Sequence, residues 1–225
     1  MSARDDVFAS IRAGLGVRGD EAPRRAAVEA RLRDAPRGVV PARGELDLDG
    51  RVALFKAEAE RVAATVVEIA DARDLPAELA RYLRDNNLPA TVRFGADPFF
   101  DGLPFGDTAL EVSRGPSEGA DAVGLSRAAG AVAETGTLAL LSGADNPTTL
   151  NFLPETHVVA VARGDVAGDY ETLIARVRAQ FGRGDMPRTL NFVTGPSRSA
   201  DIEQTLVQGA HGPKRLHVVI VGASA

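Results

Sequence analysis

The sequence contains no cysteine among its 225 residues. Disulfides, thiolate catalysis, zinc–thiolate sites and iron–sulfur clusters bound within the chain are therefore excluded. The three histidines show no His-x-His or His-Glu-x-x-His spacing, so we expect no metal site in this chain. We accordingly expect that the chain binds no redox cofactor of its own.

Basic residues are also in short supply, since 26 Lys and Arg stand against 31 Asp and Glu, with a net charge of -5. The two signs alternate along the chain, so no basic face forms that would neutralise phosphates, and we expect no nucleic-acid partner. No apolar run approaches the roughly 20 residues that span a bilayer, and the first residues do not resemble a leader. We expect a cytoplasmic protein without a membrane span.

The chain has the composition of an ordinary globular protein, with 44% hydrophobic and 25% charged residues. Helical spacing of apolar residues over 5–15 predicts a short amphipathic helix, and the Pro- and Arg-rich stretch over 21–45 predicts a linker. We therefore divide the chain into an N-terminal helix and linker over 1–45 and an α/β domain over 46–225.

The α/β domain is predicted from short apolar segments that alternate with amphipathic helices. Apolar stripes predict helices that begin near Val52, Leu75 and Tyr170. The predicted strands are 66–69, 91–94, 110–112, 122–125, 130–133, 138–141, 158–162, 190–193 and 216–221. Several are apolar without alternation, which indicates that both faces are buried, as in a parallel or mixed sheet covered by helices.

The first polar segment between strands is the turn at 133–137. Gly136 permits a tight turn, in which the backbone amides are free to meet a ligand. Thr135 and Thr137 add hydroxyl groups to this turn. Glu134 can serve as a general base or a carboxylate nucleophile in a partly desolvated cleft. It can equally be a carboxylate satisfied by neighbouring backbone donors.

A second polar loop, at 142–151, follows the next strand. Its Asn146 and Asn151 can each donate and accept hydrogen bonds, which suits the orientation of a hydroxyl or carboxylate ligand. Turn formation alone explains the loop's Gly, Asp and Pro residues equally well. The phenylalanines at 99, 100 and 105 in an earlier loop either line a pocket mouth or fasten that loop to the core.

The third polar segment follows the predicted strand at 190–193 and reads as a loop that enters a helix. Free amides at such a helix start, together with Gly195, Ser197, Arg198 and Ser199, predict a site for a carboxylate or phosphate. Helix capping by serine is the structural alternative, but it does not account for the arginine. Asp201 follows and can hold the arginine in place or complement the helix dipole.

The histidines differ in their surroundings. His157 and His217 fall at the start of a strand or within one, so we interpret both as structural residues that form local hydrogen bonds. His211 lies between glycines in a loop, where an imidazole can turn toward a pocket and act as an acid or base near neutral pH.

Taken together, these segments resemble the LUD domain of the lactate-utilisation protein C family. The resemblance rests on AETGT at 133–137, GPSRSADIE at 195–203, GAHGP at 209–213 and LHVV at 216–219, and it covers roughly residues 50 to 222. Ser199 stands where the family usually has threonine. The resemblance implies a three-layer α/β/α fold similar to coenzyme A transferases, ribose-5-phosphate isomerases and glucosamine-6-phosphate isomerases.

The resemblance also implies action beside partner proteins that carry iron–sulfur clusters, in the oxidation of lactate to pyruvate. The chain would then be a subunit or accessory of an oxidoreductase system that binds a small carboxylate or phosphorylated metabolite. Fold kinship does not transfer a reaction. A free-standing transferase or isomerase acting on a coenzyme A ester or sugar phosphate, and a non-catalytic metabolite-binding module, remain as alternatives.

Overall fold

The computed structural model describes residues 2–182, 184–202 and 205–222, with the backbone alone over 199–202 and 205–208. The chain consists of two compact units, Met1–Val39 and Val40–Ala225. No helix within the described part is long and apolar enough to span a membrane.

The first unit contains two helices, α1 (Ala3–Leu15) and α2 (Ala22–Asp34). Helix α1 confirms the predicted amphipathic helix, and Ser2 and Asp5 cap it reciprocally, each side chain accepting from the other's backbone amide. Helix α2 lies where we predicted a linker. It has no buried residue and hence no apolar stripe to detect, while its alanines and arginines favour helix and a proline is tolerated in its first turn.

The second unit is an α/β fold. Its helices are α3 (Leu48–Arg61), α4 (Leu75–Asp85), α5 (Thr148–Phe152) and α6 (Tyr170–Phe181). Its strands are β1 (Thr65–Ile69), β2 (Thr91–Phe94), β3 (Glu111–Arg114), β4 (Val123–Arg127), β5 (Gly130–Val132), β6 (Thr137–Leu141), β7 (Thr156–Ala162), β8 (Val166–Ala167), β9 (Leu190–Val193), β10 (Arg198–Ile202), β11 (Thr205–Gln208) and β12 (Arg215–Val221).

The main sheet has six strands in the order β1-β12-β7-β4-β2-β3, and every pairing in it is parallel. This confirms the predicted mainly parallel α/β fold. Because the strands are parallel, they all begin at one edge of the sheet, the amino edge, and all end at the other, the carboxyl edge. The central strands β7 and β12 are almost entirely buried, as their unbroken apolar runs predicted.

Both faces of the main sheet are covered. On one face, α4 packs through Leu75, Leu79 and Leu83 against β2, β4 and β7. On the other face, α3 packs through Val52, Phe55 and Ala59, together with β5 and β6.

The strands β5 and β6 belong to a second, four-stranded sheet of order β8-β5-β6-β9. Helix α6 packs on it through Leu173.

The segment after β9 corrects one prediction. We expected a helix to begin near Ser197, but residues Arg198–Ile202 form strand β10, which pairs antiparallel with β11. The sequence here is polar and short, so its local pattern does not distinguish a helix start from a hairpin. The predicted anion site therefore loses the helix amides on which it relied.

Candidate functional site

A cavity of about 730 Å³ opens at the carboxyl edge of the main sheet, beyond the ends of β2 and β4. The chain leaving β2 continues outward to β3, whereas the chain leaving β4 goes the other way, through the second sheet to β7. Such a divergence between neighbouring parallel strands forms a crevice, and ligands of open α/β sheets bind in this crevice. The cavity is lined by Asp97, Pro98, Phe99, Arg127, Ala128, Ala129, Leu141, Ser142, Gly143, Asp145, Asn146, Asp165, Arg176, Gln180 and Phe181.

The loop at 142–147 forms one wall of this cavity and is fastened at both ends. Ala96 N, just after β2, donates to Ala144 O at 3.1 Å. At the other end Thr189 N donates to Ser142 Oγ at 2.8 Å. Gly95 permits the close approach, because a Cβ at this position would lie 2.0 Å from Asp145 O.

The charged groups of the cavity are two guanidinium groups, of Arg127 and Arg176, and three carboxylates, of Asp97, Asp145 and Asp165. Arg127 lies 3.8 Å from Asp97 and stacks 4.8 Å above the Phe99 ring. Among the described residues, the Arg176 guanidinium donates one long hydrogen bond, to the backbone carbonyl of Gly164 at 3.5 Å. The cavity thus presents fixed positive groups, but its net charge does not favour a ligand with several negative charges.

Asn146 is the polar group of the wall that lacks a partner. Its side chain is 6% exposed, and its Nδ2 donates to Leu141 O at 3.2 Å, which fixes the orientation of the amide. Its Oδ1 is buried without a hydrogen-bond partner among the described residues. A buried acceptor without a donor costs about 1–3 kcal/mol, so a donor from water or a ligand is expected at this position.

The other predicted turns lie toward the opposite, amino edge of the sheet. Glu134 is 7% exposed, in a short 3-10 turn between β5 and β6. Among the described residues, its Oε1 accepts one long hydrogen bond, from Tyr170 N at 3.4 Å. Gly136 turns the chain with φ +65°, and a Cβ there would lie 2.4 Å from Ala59 N in α3. The backbone therefore holds a weakly satisfied carboxylate against α3.

A chain of hydroxyl groups joins this turn to the third polar segment. Thr137 Oγ1 lies 2.7 Å from Thr135 Oγ1 and 2.7 Å from Thr194 Oγ1. Tyr170 OH donates to the same Thr137 oxygen at 2.9 Å. Two turns that lie 57 residues apart in the chain thus meet through their side chains.

The third segment in turn meets the His211 loop. Gly195 adopts φ +73° beside Val62 at the end of α3. Ser197 accepts at its carbonyl from Gly209 N at 3.0 Å and at its Oγ from His211 N at 3.4 Å. His211 is exposed, as is Arg198 at the start of β10.

Two further predicted ligand residues, Ser199 and Asp201, have side chains outside the described residues. Asn151 is placed in the interior, where its Oδ1 accepts from Ser126 Oγ at 2.9 Å. Ser126 in turn lies 3.0 Å from His157 Nε2. Burial lowers the pKa of His157 to about 3. The imidazole is therefore neutral in this internal network, in line with a structural role.

Apart from Asn151, which lies in this internal network, the tertiary structure groups the described predicted residues in two places. The turn at 133–137, the loop at 194–198 and the loop at 209–213 meet toward the amino edge, whereas Asn146 lines the cavity at the carboxyl edge. Sequence reasoning missed Arg127 and Arg176, because an arginine at a strand end or on an amphipathic helix has the same pattern as a solvated residue. Both interpretations of the phenylalanines in the loop at 99–105 hold for different residues. Phe100 and Phe105 are core residues, and Phe99 lines the cavity.

A family model and a solved structure show which known proteins the chain is similar to. The family model of the LUD domain matches residues 117–221. A solved structure, a DUF162 family protein from Deinococcus radiodurans, aligns with a TM-score of 0.58 over 79% of this chain and 99% of that chain, at 23% identity. This likeness concerns the fold. The chain is therefore an α/β protein that is similar to the LUD domain over residues 117–221.

Proteins with similar sequences are the second finding of the comparison. Lactate utilization protein C of Geobacillus sp. (strain WCH70) is 38% identical over 91 residues, which is 40% of this chain and 38% of the relative. The same protein of Bacillus subtilis (strain 168) is 34% identical over 91 residues, with the same shares covered. The matched segment is thus similar to lactate utilization protein C, the resemblance that its motifs predicted. The matched segment spans about two fifths of the length of these relatives.

Proposed function

We propose that this chain serves lactate utilisation and binds a small hydroxycarboxylate in the carboxyl-edge cavity. The observation that carries this proposal is the buried, unpartnered Oδ1 of Asn146 in a wall that also presents Arg127 and Arg176. A guanidinium pairs with a carboxylate, and an amide oxygen accepts from the hydroxyl group of the same ligand. The relatives named lactate utilization protein C support the choice of lactate among hydroxycarboxylates.

Charge and volume limit the range of ligands. Three carboxylates outnumber two guanidinium groups in the lining, so a polyphosphate is repelled while a monocarboxylate beside an arginine is not. The cavity volume of about 730 Å³ lies in the range of whole-ligand pockets, roughly 300–1,000 Å³. It exceeds what lactate fills, which leaves room for water or for a group supplied by a partner protein.

Oxidation of lactate to pyruvate removes two electrons and two protons, and the sequence has no cysteine for a cluster of its own. In our proposal the chain therefore handles the substrate, and iron–sulfur proteins that assemble with it receive the electrons. Co-purification from the native cell with cluster-containing proteins would support this part. A solitary protein whose deletion leaves growth on lactate unchanged would remove it.

Calorimetric titration of the full chain tests the ligand. We expect L-lactate to bind more tightly than propionate, which lacks the hydroxyl group, by about tenfold, the worth of one hydrogen bond to a buried acceptor. Asn146→Ala should abolish this preference. Arg176→Gln should weaken both ligands at least tenfold, because it removes a charge-assisted bond.

Arg178→Gln is the matched control, because Arg178 lies on the same helix but outside the cavity lining. It should leave both affinities unchanged. Equal binding of lactate and propionate to the unaltered chain, or equal loss in Arg176→Gln and Arg178→Gln, would overturn the proposed site.

A second candidate function has an observation of its own. Glu134 is nearly buried, and within the described part of the chain its carboxylate accepts one long hydrogen bond from a backbone amide. This carboxylate is poorly satisfied for a purely structural residue. A free-standing transferase or isomerase would use it as nucleophile or base. Glu134→Gln would then abolish turnover of coenzyme A esters or sugar phosphates by the purified chain. Ligand binding that survives this change without turnover would instead indicate a non-catalytic binding module.

A further inference from the structure

A histidine that is hydrogen-bonded through Nδ1, and whose buried Nε2 faces a carboxylate without a hydrogen bond among the described residues, lies toward the amino edge, on the α4 face of the sheet. His217 Nδ1 is 2.8 Å from Thr65 Oγ1, at the start of the neighbouring strand β1. His217 Nε2 is 3.4 Å from Glu78 Oε1 on α4. Tyr82, one turn further along α4, stacks on the imidazole with ring centroids 3.9 Å apart. We call Thr65, His217, Glu78 and Tyr82 the Thr65 cluster.

The partners determine the tautomer of the imidazole. A carboxylate only accepts hydrogen bonds, so the ring proton lies on Nε2 and faces Glu78. Burial lowers the pKa of His217 to about 4, although the Glu78 charge opposes this. The imidazole is therefore neutral at neutral pH, and the Nδ1 lone pair accepts the hydroxyl proton of Thr65.

The members of the cluster differ in their access to solvent. The His217 and Glu78 side chains are 3% and 10% exposed, and the packed Tyr82 ring keeps them in place. Thr65 alone is exposed. Thr65 is thus the member of the cluster that faces solvent, and its hydroxyl group lies 2.8 Å from a buried base. Burial raises the pKa of Tyr82, and a hydrogen bond with Thr65 and the Arg215 charge oppose this.

We propose that Thr65 is a nucleophile that accepts an acyl group from activated carboxylic acid derivatives such as aryl esters, thioesters or acyl phosphates. Thr65 Oγ forms a bond to the acyl carbon, the bond from that carbon to the leaving group breaks, and the hydroxyl proton passes through His217 Nδ1 to the leaving group. Glu78, whose carboxylate also accepts from Arg81, is a positioning residue whose charge favours the proton on Nε2. The order nucleophile, histidine, carboxylate is the geometric requirement for activating a hydroxyl group. This inference does not depend on the carboxyl-edge cavity.

The sequence offers a matched comparison for the nucleophile. Thr91 is the exposed first residue of the parallel strand β2, just as Thr65 is the exposed first residue of β1. Among the described side chains, Thr91 is not hydrogen-bonded to a histidine. Exposure and position in a strand are therefore the same, and only the imidazole contact differs.

Incubation of the full chain with p-nitrophenyl acetate tests the inference. We expect release of one equivalent of p-nitrophenolate and a single acetyl group on the peptide that contains Thr65, found by mass spectrometry. The label should be removed by hydroxylamine, which cleaves the ester but not an amide formed at Lys56 or Lys214.

Thr65→Val, which keeps the shape of the side chain, should abolish the label, Thr65→Ser should retain it, and Thr91→Val should change nothing. His217→Gln should slow acetylation at least tenfold. Glu78→Gln should slow it and move the acid limb of its pH profile to lower pH, because the Glu78 charge raises the pKa of His217. In that profile Arg81 acts in the opposite sense on the imidazole, and Tyr82, Thr65 and Arg215 are unchanged. Acetylation that is equal at Thr65 and Thr91, or that survives Thr65→Val, would overturn the proposal.

Discussion

The contact between Gly95 and the cavity loop allows a sharp test of how this site is built. Replacement of Gly95 by alanine would place a methyl carbon 2.0 Å from Asp145 O and 2.7 Å from Pro147 Cδ. Ordinary contact needs about 3.4 Å, so the loop must retreat by about 1.4 Å. Both neighbours belong to the chain's backbone or to a proline ring, and neither can rotate away.

Overpacking of this kind costs typically 1–3 kcal/mol, and a backbone neighbour places Gly95→Ala at about 3 kcal/mol. With a urea dependence of about 2 kcal/mol per molar, the midpoint of unfolding should fall by about 1.5 M. Because the loop carries Asn146, lactate binding in calorimetry should be lost even at urea-free conditions where the chain is folded. Circular dichroism in urea gives the midpoint.

Gly143→Ala is the control in the same loop. The nearest atom to a Cβ there is Asp145 N at 3.9 Å, an ordinary contact, so we expect a change within about 0.5 kcal/mol. A midpoint shift in Gly95→Ala no larger than that in Gly143→Ala would refute the steric reasoning, and with it the claim that this approach holds the cavity wall.

Two further results are expected. Phe55→Ala removes a fully buried ring between α3 and the main sheet, and urea titration should show a free energy of unfolding lower by about 3–5 kcal/mol. Leu54 is only partly buried, so Leu54→Ala should lower the free energy of unfolding clearly less. Equal decreases in the two variants would contradict the assigned packing. Burial holds the pKa of His157 at about 3, below its ordinary value of 6.5. Between these pH values the unfolded chain therefore binds one proton more than the folded chain. The free energy of unfolding should fall by about 1.4 kcal/mol for each pH unit by which the pH drops. His157→Gln should remove this share of the slope in urea titrations from pH 7 to 5, and an unchanged slope would show that the imidazole is not buried in its neutral form.

Much of the fold follows from local patterns. The unbroken apolar runs at 158–161 and 218–221 predicted strands buried on both faces, and these form the centre of the sheet as β7 and β12. The apolar stripes of α3, α4 and α6 predicted helices that cover it. The polar helix α2 could not be predicted in this way, because it has no buried face that imposes a period on its sequence. The hairpin of β10 and β11 could not be predicted either, because the short polar sequence that opens it does not distinguish a strand from a helix start.

The candidate site could be predicted from the sequence to a smaller extent than the fold. Asn146 and Glu134 attract attention in the sequence because a polar residue between apolar runs is conspicuous. The sequence does not show that one faces a cavity at the carboxyl edge and the other packs against α3. Arg127 and Arg176, 49 positions apart in the chain, enter the same cavity only because β4 ends where α6 passes the second sheet.

By itself the sequence determined the class of fold, the family resemblance and the exclusion of cysteine chemistry, since each of these depends on composition, on periodicity or on residues adjacent in the chain. Only the tertiary structure decided which polar residues share a cavity, that Thr65 and Glu78 meet at His217, and that Asn146 retains an unpaired acceptor. These are distances between residues far apart in the chain, and the strand order that sets them depends on how whole elements pack.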